Sequence, residues 1–367
     1  MSGVARDPLT IWLNDVVGRA GFSSVDDFVR EYSLKAYRLK QLYQAATKQF
    51  LGGVDDVTTL PKDLRTALVE RGISFSSVEP IVLQQSNDKQ TTKGLFRLRD
   101  GKEVEAVLME HYGERTTVCI SSQAGCAFAC AFCSTGQAGF TRNLTPTEIF
   151  DQARFFAREL ATRGKRITNI VFMGMGEPFH NYDSVMAAVA LLNDGQGFGL
   201  GHRHITISTV GLVDKIDQFS NEGVQVNLAI SLHAPNDEVR SSFMPVNRKF
   251  PLADLMAACE RYVAKTNRKI FFEYVMLDGV NDTDACARDL AALMRGHIYH
   301  VNLIPYNSTP DAPFSGTPDP RIWAFAKVLE NAGVPSTVRH NMGRDIAAAC
   351  GQLRAQTQPK AKKTPVA

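Results

Sequence analysis

Three cysteines crowd into eight residues of this 367-residue chain, in the run Cys126-Ala127-Phe128-Ala129-Cys130-Ala131-Phe132-Cys133. Three thiolates on one tight loop can hold three irons of a cubane cluster and leave the fourth iron open to a ligand. Cysteine is the soft ligand that iron–sulfur clusters require. A zinc site is the alternative, but it usually takes four ligands in two paired groups, and no second CxxC is present. The seven cysteines, at 119, 126, 130, 133, 259, 286 and 350, are an odd number in a chain whose start shows no secretion signal. That pattern argues for a reducing, cytoplasmic compartment and for metal or redox chemistry over structural disulfides.

The remaining composition excludes more than it identifies. Hydrophobic residues at 44% and charged residues at 22% suit a soluble enzyme-like protein and rule out a disordered or collagenous chain. No apolar run approaches the ~18 residues of a membrane span, so no membrane partner is expected. A net charge of +3 says almost nothing about nucleic acid. The segment 354–367, with Arg354, Lys360, Lys362, Lys363 and no acid, reads as a basic disordered tail, either simply solvated or in contact with phosphate.

Helical spacing runs from Leu9 to about Leu68, as in Leu34, Tyr37, Leu39, Leu42 and Tyr43, and predicts a small helical domain over residues 1–74. A β extension is predicted over 75–114, with Asp100-Gly101 as a two-residue hairpin turn. On the strand after that turn Val104, Ala106 and Leu108 form an apolar face and Glu103 and Glu105 lie on the other. Short apolar strands then start near Thr116, Ile167, His204, Gln225, Lys269, Tyr299 and Pro335, with room for helices between them. Thr145-Pro146-Thr147-Glu148 carries the cap, proline and glutamate of a helix start. Repeated strand–helix units without a dinucleotide fingerprint predict an α/β fold, a partial (βα)6-type barrel spanning residues 115–353.

A second motif, Met173-Gly174-Met175-Gly176-Glu177-Pro178, follows an apolar strand at the end where barrel enzymes place ligands. Its glycines permit close approach of backbone to a ligand, and Glu177 can accept hydrogen bonds from an ammonium group. The cysteine spacing, with an aromatic residue before the last cysteine, resembles the radical S-adenosylmethionine (radical SAM) superfamily. Residues from about Glu105 to Leu353 more narrowly resemble the RlmN/Cfr family of radical SAM RNA adenosine methyltransferases. The matching stretches are Val118-Cys119-Ile120-Ser121-Ser122-Gln123, the glycine loop, Ser231-Leu232-His233-Ala234-Pro235-Asn236, Val301 to Asn307, and Ala349-Cys350-Gly351-Gln352-Leu353.

The resemblance implies a [4Fe-4S] cluster on Cys126, Cys130 and Cys133, and S-adenosyl-L-methionine held by Gly176, Glu177, Ser208, Ser231, Leu232, His233 and Asn307. It implies methylation of carbon 2 of adenosine in 23S ribosomal RNA and in tRNA beside the anticodon, or of carbon 8 in the Cfr branch. The amidine carbon of adenine is electrophilic and offers no nucleophile, so direct transfer from S-adenosylmethionine fails. By resemblance a first molecule methylates Cys350, and a second is cleaved to a 5'-deoxyadenosyl radical that takes hydrogen from the S-methyl group. The carbon radical adds to the base, Glu105 accepts the ring proton, and Cys119 resolves the thioether through a transient disulfide with Cys350. A one-electron donor such as flavodoxin or ferredoxin is implied as a partner, and the helical start and basic tail as RNA-holding parts. Where the family usually has GDDIDAAC, this chain has Gly343-Arg344-Asp345-Ile346-Ala347-Ala348-Ala349-Cys350, so Arg344 and Ala347 are departures. Two non-catalytic readings remain open from residues alone, a module that has left RNA chemistry and a zinc-binding structural protein. Cys259, Cys286, Trp12, Phe22, Phe28 and Trp323 are read as core.

Overall fold

The computed structural model describes residues 6–309 and 312–354; the segment read as a basic tail lies, apart from Arg354, outside the described residues. Four helices open the chain: α1 (Pro8–Arg19), α2 (Val25–Glu31), α3 (Ala36–Thr47) and α4 (Lys62–Glu70). Asp7 and Ser24 cap the first two by accepting from backbone N–H groups, the expected use of short polar side chains at helix starts. Trp12, Phe22 and Phe28 are buried, and their apolar surroundings are continuous with the core of the rest of the molecule. Tyr43 donates to Asp194 at 2.7 Å and Arg6 pairs with Glu222 at 2.6 Å, so polar contacts also tie the helices to the barrel.

Strands β1 (Val78–Gln85), β2 (Thr91–Leu98) and β3 (Glu103–Glu110) form an antiparallel meander. The turn between β2 and β3 is longer than predicted. Leu98 N–H donates to Lys102 O, which encloses three residues, and Gly101 takes φ of 79°, the left-handed position of a three-residue hairpin loop. β3 pairs antiparallel with β4 (Thr116–Cys119), so the meander is not an appendage but the edge of a ten-stranded sheet.

After β4 the sheet becomes parallel, through β7 (Asn169–Phe172), β8 (Ile205–Thr209), β9 (Asn227–Ser231), β10 (Ile270–Met276), β11 (Tyr299–Pro305) and β12 (Ser336–Val338). These starts lie within two residues of the predicted ones. A small hairpin of β5 (Gln123–Gly125) and β6 (Phe140–Asn143) brackets the cysteine loop and the short helix α5 (Ser134–Gln137). The crossovers are α6 (Pro146–Ala161), α7 (Tyr182–Asn193), α8 (Val213–Phe219), α9 (Asp237–Phe243), α10 (Leu252–Thr266), α11 (Asp284–Met294) and α12 (Asp319–Asn331). As predicted, Thr145 and Glu148 form a reciprocal capping box at the start of α6.

The result is a curved parallel sheet covered by helices, a partial βα barrel. Cys259 on α10 and Cys286 on α11 are buried, as read. Trp323 is not core: it stands on α12 with 60% of its surface exposed, because that turn of the helix faces away from the sheet. No helix among the described residues is long and apolar enough to cross a membrane.

Candidate active site at the carboxyl ends of the barrel strands

One cavity at the carboxyl ends of β7–β11 is lined by Cys126, Cys130, Cys133, Gly176, Glu177, Ser208, Ser231, His233, Asn307 and Cys350. The cysteine loop is fixed by its backbone: Cys126 N–H donates to Gly139 O, Ala131 N–H to Phe243 O and Cys133 N–H to Cys130 O. Burial pushes the Cys126 thiol up to about 12 and Cys130 well above its ordinary range, and the neighbouring thiols add to the rise. Such thiols stay protonated until a cation displaces the proton. Among the described residues no three His, Cys, Asp or Glu side chains converge tightly enough for a single ion. A cubane takes one thiolate on each of three separate irons, so three soft donors spread around one cavity fit a cluster better than zinc.

The glycine loop owes its glycines to the protein's own backbone, not only to a ligand. A Cβ on Gly174 would lie 2.7 Å from Ile120 O, and one on Gly176 would lie 2.5 Å from the Gln123 side chain, at a φ of 100°. That close approach locks the loop onto β4 and β5, where Glu177 N–H donates to Gln123 Oε1 at 2.8 Å. The Glu177 carboxylate accepts from Phe179 N–H and Val210 N–H. Burial raises Glu177 to about 7, against the hydrogen bonds that favour its charge. The folded value exceeds the ordinary 4.5, so the stability this group contributes is complete below about 4.5 and is lost as pH rises through 7. In metal-free protein we expect a loss of roughly 3 kcal/mol over that window. Denaturant unfolding from pH 5 to 8 should show it, and Glu177→Gln should flatten the curve; parallel curves for the two proteins would refute the assignment.

The strand ends are braced by residues that sequence reading missed. Arg240, completely buried on α9, donates to Leu232 O, Val210 O, Ser231 O and Asn247 Oδ1, and burial lowers it to about 10. Ser208 and Ser231 approach to 3.4 Å between their hydroxyls. His233 sits at φ 61°, accepts from Val275 N–H through Nδ1 and meets Phe132 edge-on, with burial lowering it to about 3. It is therefore a neutral ring carrying its proton on Nε2. Leu232 is not brought to the cavity wall: its side chain lies in the core and its N–H donates to Glu273 O.

Cys350 lies in the wall between this cavity and a second one at the amino-terminal side of the barrel, which Cys119 lines. Its surface is open to the cavities, yet protein surrounds it, and burial raises the thiol against the pull of Arg339. Burial and the nearby Cys350 push the Cys119 thiol well up, while Arg339 works in the opposite direction. All seven cysteines are free thiols in this structure, Cys119 and Cys350 included. The loop that bears Cys350 is strapped on two sides. Ser134 N–H donates to Gly351 O and Thr135 Oγ1 to Leu353 O, while Asn87 N–H donates to Asp345. The departure Arg344 donates to Asn307 Oδ1 at 3.0 Å and to Tyr306 O, bracing one of the predicted cofactor contacts. Ala347 sits at φ 50°, a left-handed position that favours glycine, asparagine or aspartate.

Glu105 lies deeper than the alternation of its strand suggests. It is only 5% exposed, because β2 and β4 flank its strand on both sides and the segment after Cys350 covers it. It pairs with Lys93 at 3.1 Å and accepts from Arg354 N–H, and it lines neither cavity. Lys93, buried on β2, also reaches Ala347 O. The two residues are diagonal neighbours across the β2–β3 ladder, a relation readable only once register is known. Removing one member of a buried pair strands the other, so Lys93→Met should cost about 3 kcal/mol, with partial recovery in Lys93→Met/Glu105→Gln. Equal stability of the single variant and the parent in urea would refute this.

The match to the radical SAM superfamily covers residues 120–289. A probable dual-specificity RNA methyltransferase RlmN of Chloroflexus aurantiacus is 47% identical over 342 residues, covering 90% of both chains. A ribosomal RNA large subunit methyltransferase N of Nitrosopumilus maritimus is 42% identical, covering 90% of this chain and 95% of its own. Among solved structures, a radical SAM methyltransferase from Sphaerobacter thermophilus superposes with a TM-score of 0.87 at 48% identity, covering 91% of this chain and 97% of that one.

Proposed function

Because this chain belongs to the RlmN family of radical SAM RNA methyltransferases, and as such uses a [4Fe-4S] cluster and S-adenosylmethionine, we propose that it methylates carbon 2 of adenosine in 23S ribosomal RNA, and in tRNA beside the anticodon, through a methyl group carried on Cys350. The observation that carries this reading is the position of Cys350 in the wall shared by two cavities, with the cluster thiols on one side and Cys119 on the other.

Cys126, Cys130 and Cys133 hold the cluster, Gly176 and Glu177 take the amino group of S-adenosylmethionine, and Ser208, Ser231, His233 and Asn307 hold the rest of it. Leu232 contributes through its backbone. Bound there, the cluster and S-adenosylmethionine would supply the one-electron chemistry that makes a carbon radical able to take a hydrogen atom from the S-methyl group. The chain's own residues do the remainder. Glu105 accepts the ring proton, for which the loop 347–354 shifts off it, and Lys93 pairs with it at 3.1 Å beforehand. The unpaired electron left on the adduct would return to the cluster that supplied it; the Cys119 thiolate then attacks the Cys350 sulfur, the sulfur–carbon bond breaks, and its electron pair passes to the methylene carbon, which takes up a proton to become the product methyl. Arg339 eases the deprotonation of Cys119, whose buried thiol rests neutral.

A flavodoxin or ferredoxin supplies electrons in this reading, and the compartment is the cytoplasm. The helical segment 1–74 grips RNA and the segment 75–114 is the β extension of the catalytic body at 115–353. Because Trp12 and its neighbours are part of the common core, surface charge reversal on α2–α4 tests RNA grip better than deletion. The function itself is tested by anaerobic incubation of iron-reconstituted protein with reductant, S-adenosylmethionine and protein-free 23S ribosomal RNA, followed by nucleoside mass spectrometry. 2-Methyladenosine is expected; 8-methyladenosine would assign the Cfr-type reaction, and no methylated adenosine would overturn the reading.

A further inference from the structure

The cavity on the amino-terminal side of the barrel is about 760 Å³ in volume. Its floor comes from the first residues of the barrel strands, among them Asn169, Asn227 and His300, and its roof includes Cys119 and Cys350. Its size falls in the range that encloses a whole ligand. Its charged lining is one-sided, Arg115 and Arg339 against one carboxylate, Glu273, and four histidine rings (His111, His204, His300 and His340) stand among them, with burial favouring the neutral ring at His111 and His300.

Glu273 is the feature that calls for an explanation. It interrupts the apolar strand Ile270-Phe271-Phe272-Glu273-Tyr274-Val275-Met276, is 3% exposed, and lines both cavities. Its Oε1 accepts from Asn302 Nδ2 at 2.9 Å and from Arg339 at 3.4 Å. Its Oε2 is buried and has no hydrogen-bond partner. A buried carboxylate oxygen left unpaired costs free energy unless a donor arrives. In a cavity whose other charges suit phosphate, a carboxylate has no use against the backbone of a nucleic acid, which it would repel. It can accept only from an N–H or O–H group.

We infer that this cavity receives the target adenosine, extruded from its RNA, and that Glu273 Oε2 accepts a hydrogen bond from the exocyclic amino group, selecting adenine over bases that present oxygen there. The inference rests on the RNA methylation proposed above. Glu273 is a specificity-determining residue in this account: Arg339 and Asn302 orient its carboxylate, and Cys350 meets the base from the roof. Enzymes that act on a base read its polar edge after extruding it, and a site built to hydrogen-bond one group rejects the analogue that lacks it.

The test uses the reconstituted holoenzyme and three ribosomal hairpins that carry adenosine, purine riboside or inosine at the target position, all with hydrogen at carbon 2. Affinities are measured without reductant, so that chemistry does not enter. The wild type should bind the adenosine hairpin at least roughly tenfold more tightly than the purine riboside hairpin, with inosine weakest. Glu273→Gln should compress the three affinities to within about threefold, because its carboxamide can either accept or donate, and should leave S-adenosylmethionine affinity unchanged. Equal binding of the three hairpins by the wild type would overturn the inference without any variant being needed. It would also fail if Glu273→Gln weakened all three equally, or weakened S-adenosylmethionine binding while keeping the base preference. The function assay separates the two levels. If the wild type yields no methylated adenosine, the functional reading has failed; if it does while the base preference is absent, only the role of Glu273 has.

Discussion

Cys119→Ala leaves the protein covalently joined to its RNA. If the Cys119 thiolate releases the product from Cys350, its removal stops the reaction after the carbon–sulfur bond to the base has formed. Product formation then falls from multiple turnover to less than one equivalent, a loss of at least roughly a thousandfold in steady-state rate, an effect of the size seen when an essential reacting group is removed. An adduct should appear as a shifted band on a denaturing gel, sensitive to ribonuclease and dependent on S-adenosylmethionine. Cys119 is buried in the cavity roof on a strand held by β3 and β7, and alanine fits there without a clash. The fold therefore survives the change, and the adduct reports chemistry alone. A variant that turns over at the parental rate would remove Cys119 from the mechanism.

Cys350→Ala should abolish methyl transfer altogether and leave no adduct, alone or combined with Cys119→Ala. If the two cysteines act in sequence, as proposed, the earlier block hides the later one. Intact mass should show the wild type gaining one methyl group after incubation with S-adenosylmethionine, and the variant gaining none. The side chain faces the two cavities, so its loss should change stability by no more than about 0.5 kcal/mol. Methylated nucleoside produced by this variant would mean that the methyl group travels by another route.

Much of this protein can be read along the chain because its information is local. The cluster loop is eight consecutive residues, Thr145 to Glu148 state their helix cap in four, and the parallel strands begin within two residues of where apolar runs predict them. Resemblance to a family adds Cys119 and Cys350, which no local pattern joins, since they are 231 positions apart. Periodicity misleads where burial is decided from outside the segment. Glu105 alternates like a solvent-facing residue, yet the segment after Cys350 covers it and Lys93 pairs with it. Trp323 looks like core, yet its turn of α12 faces outward.

What tertiary structure alone decided is which charged groups share a low-dielectric space. Lys93 reaches Glu105 through the register of β2 on β3, and Arg240 ties two strand ends, those of β8 and β9, from a helix. Glu273 stands level with Ser231 and Asn302 because β9, β10 and β11 align in parallel. The physical reason is one of range. Helix caps, turns and a chelating loop are settled by interactions across a few residues, so composition and spacing determine them. A buried charge is worth placing only opposite its partner, and the partner is chosen by strand register and barrel closure, which no short stretch of sequence contains.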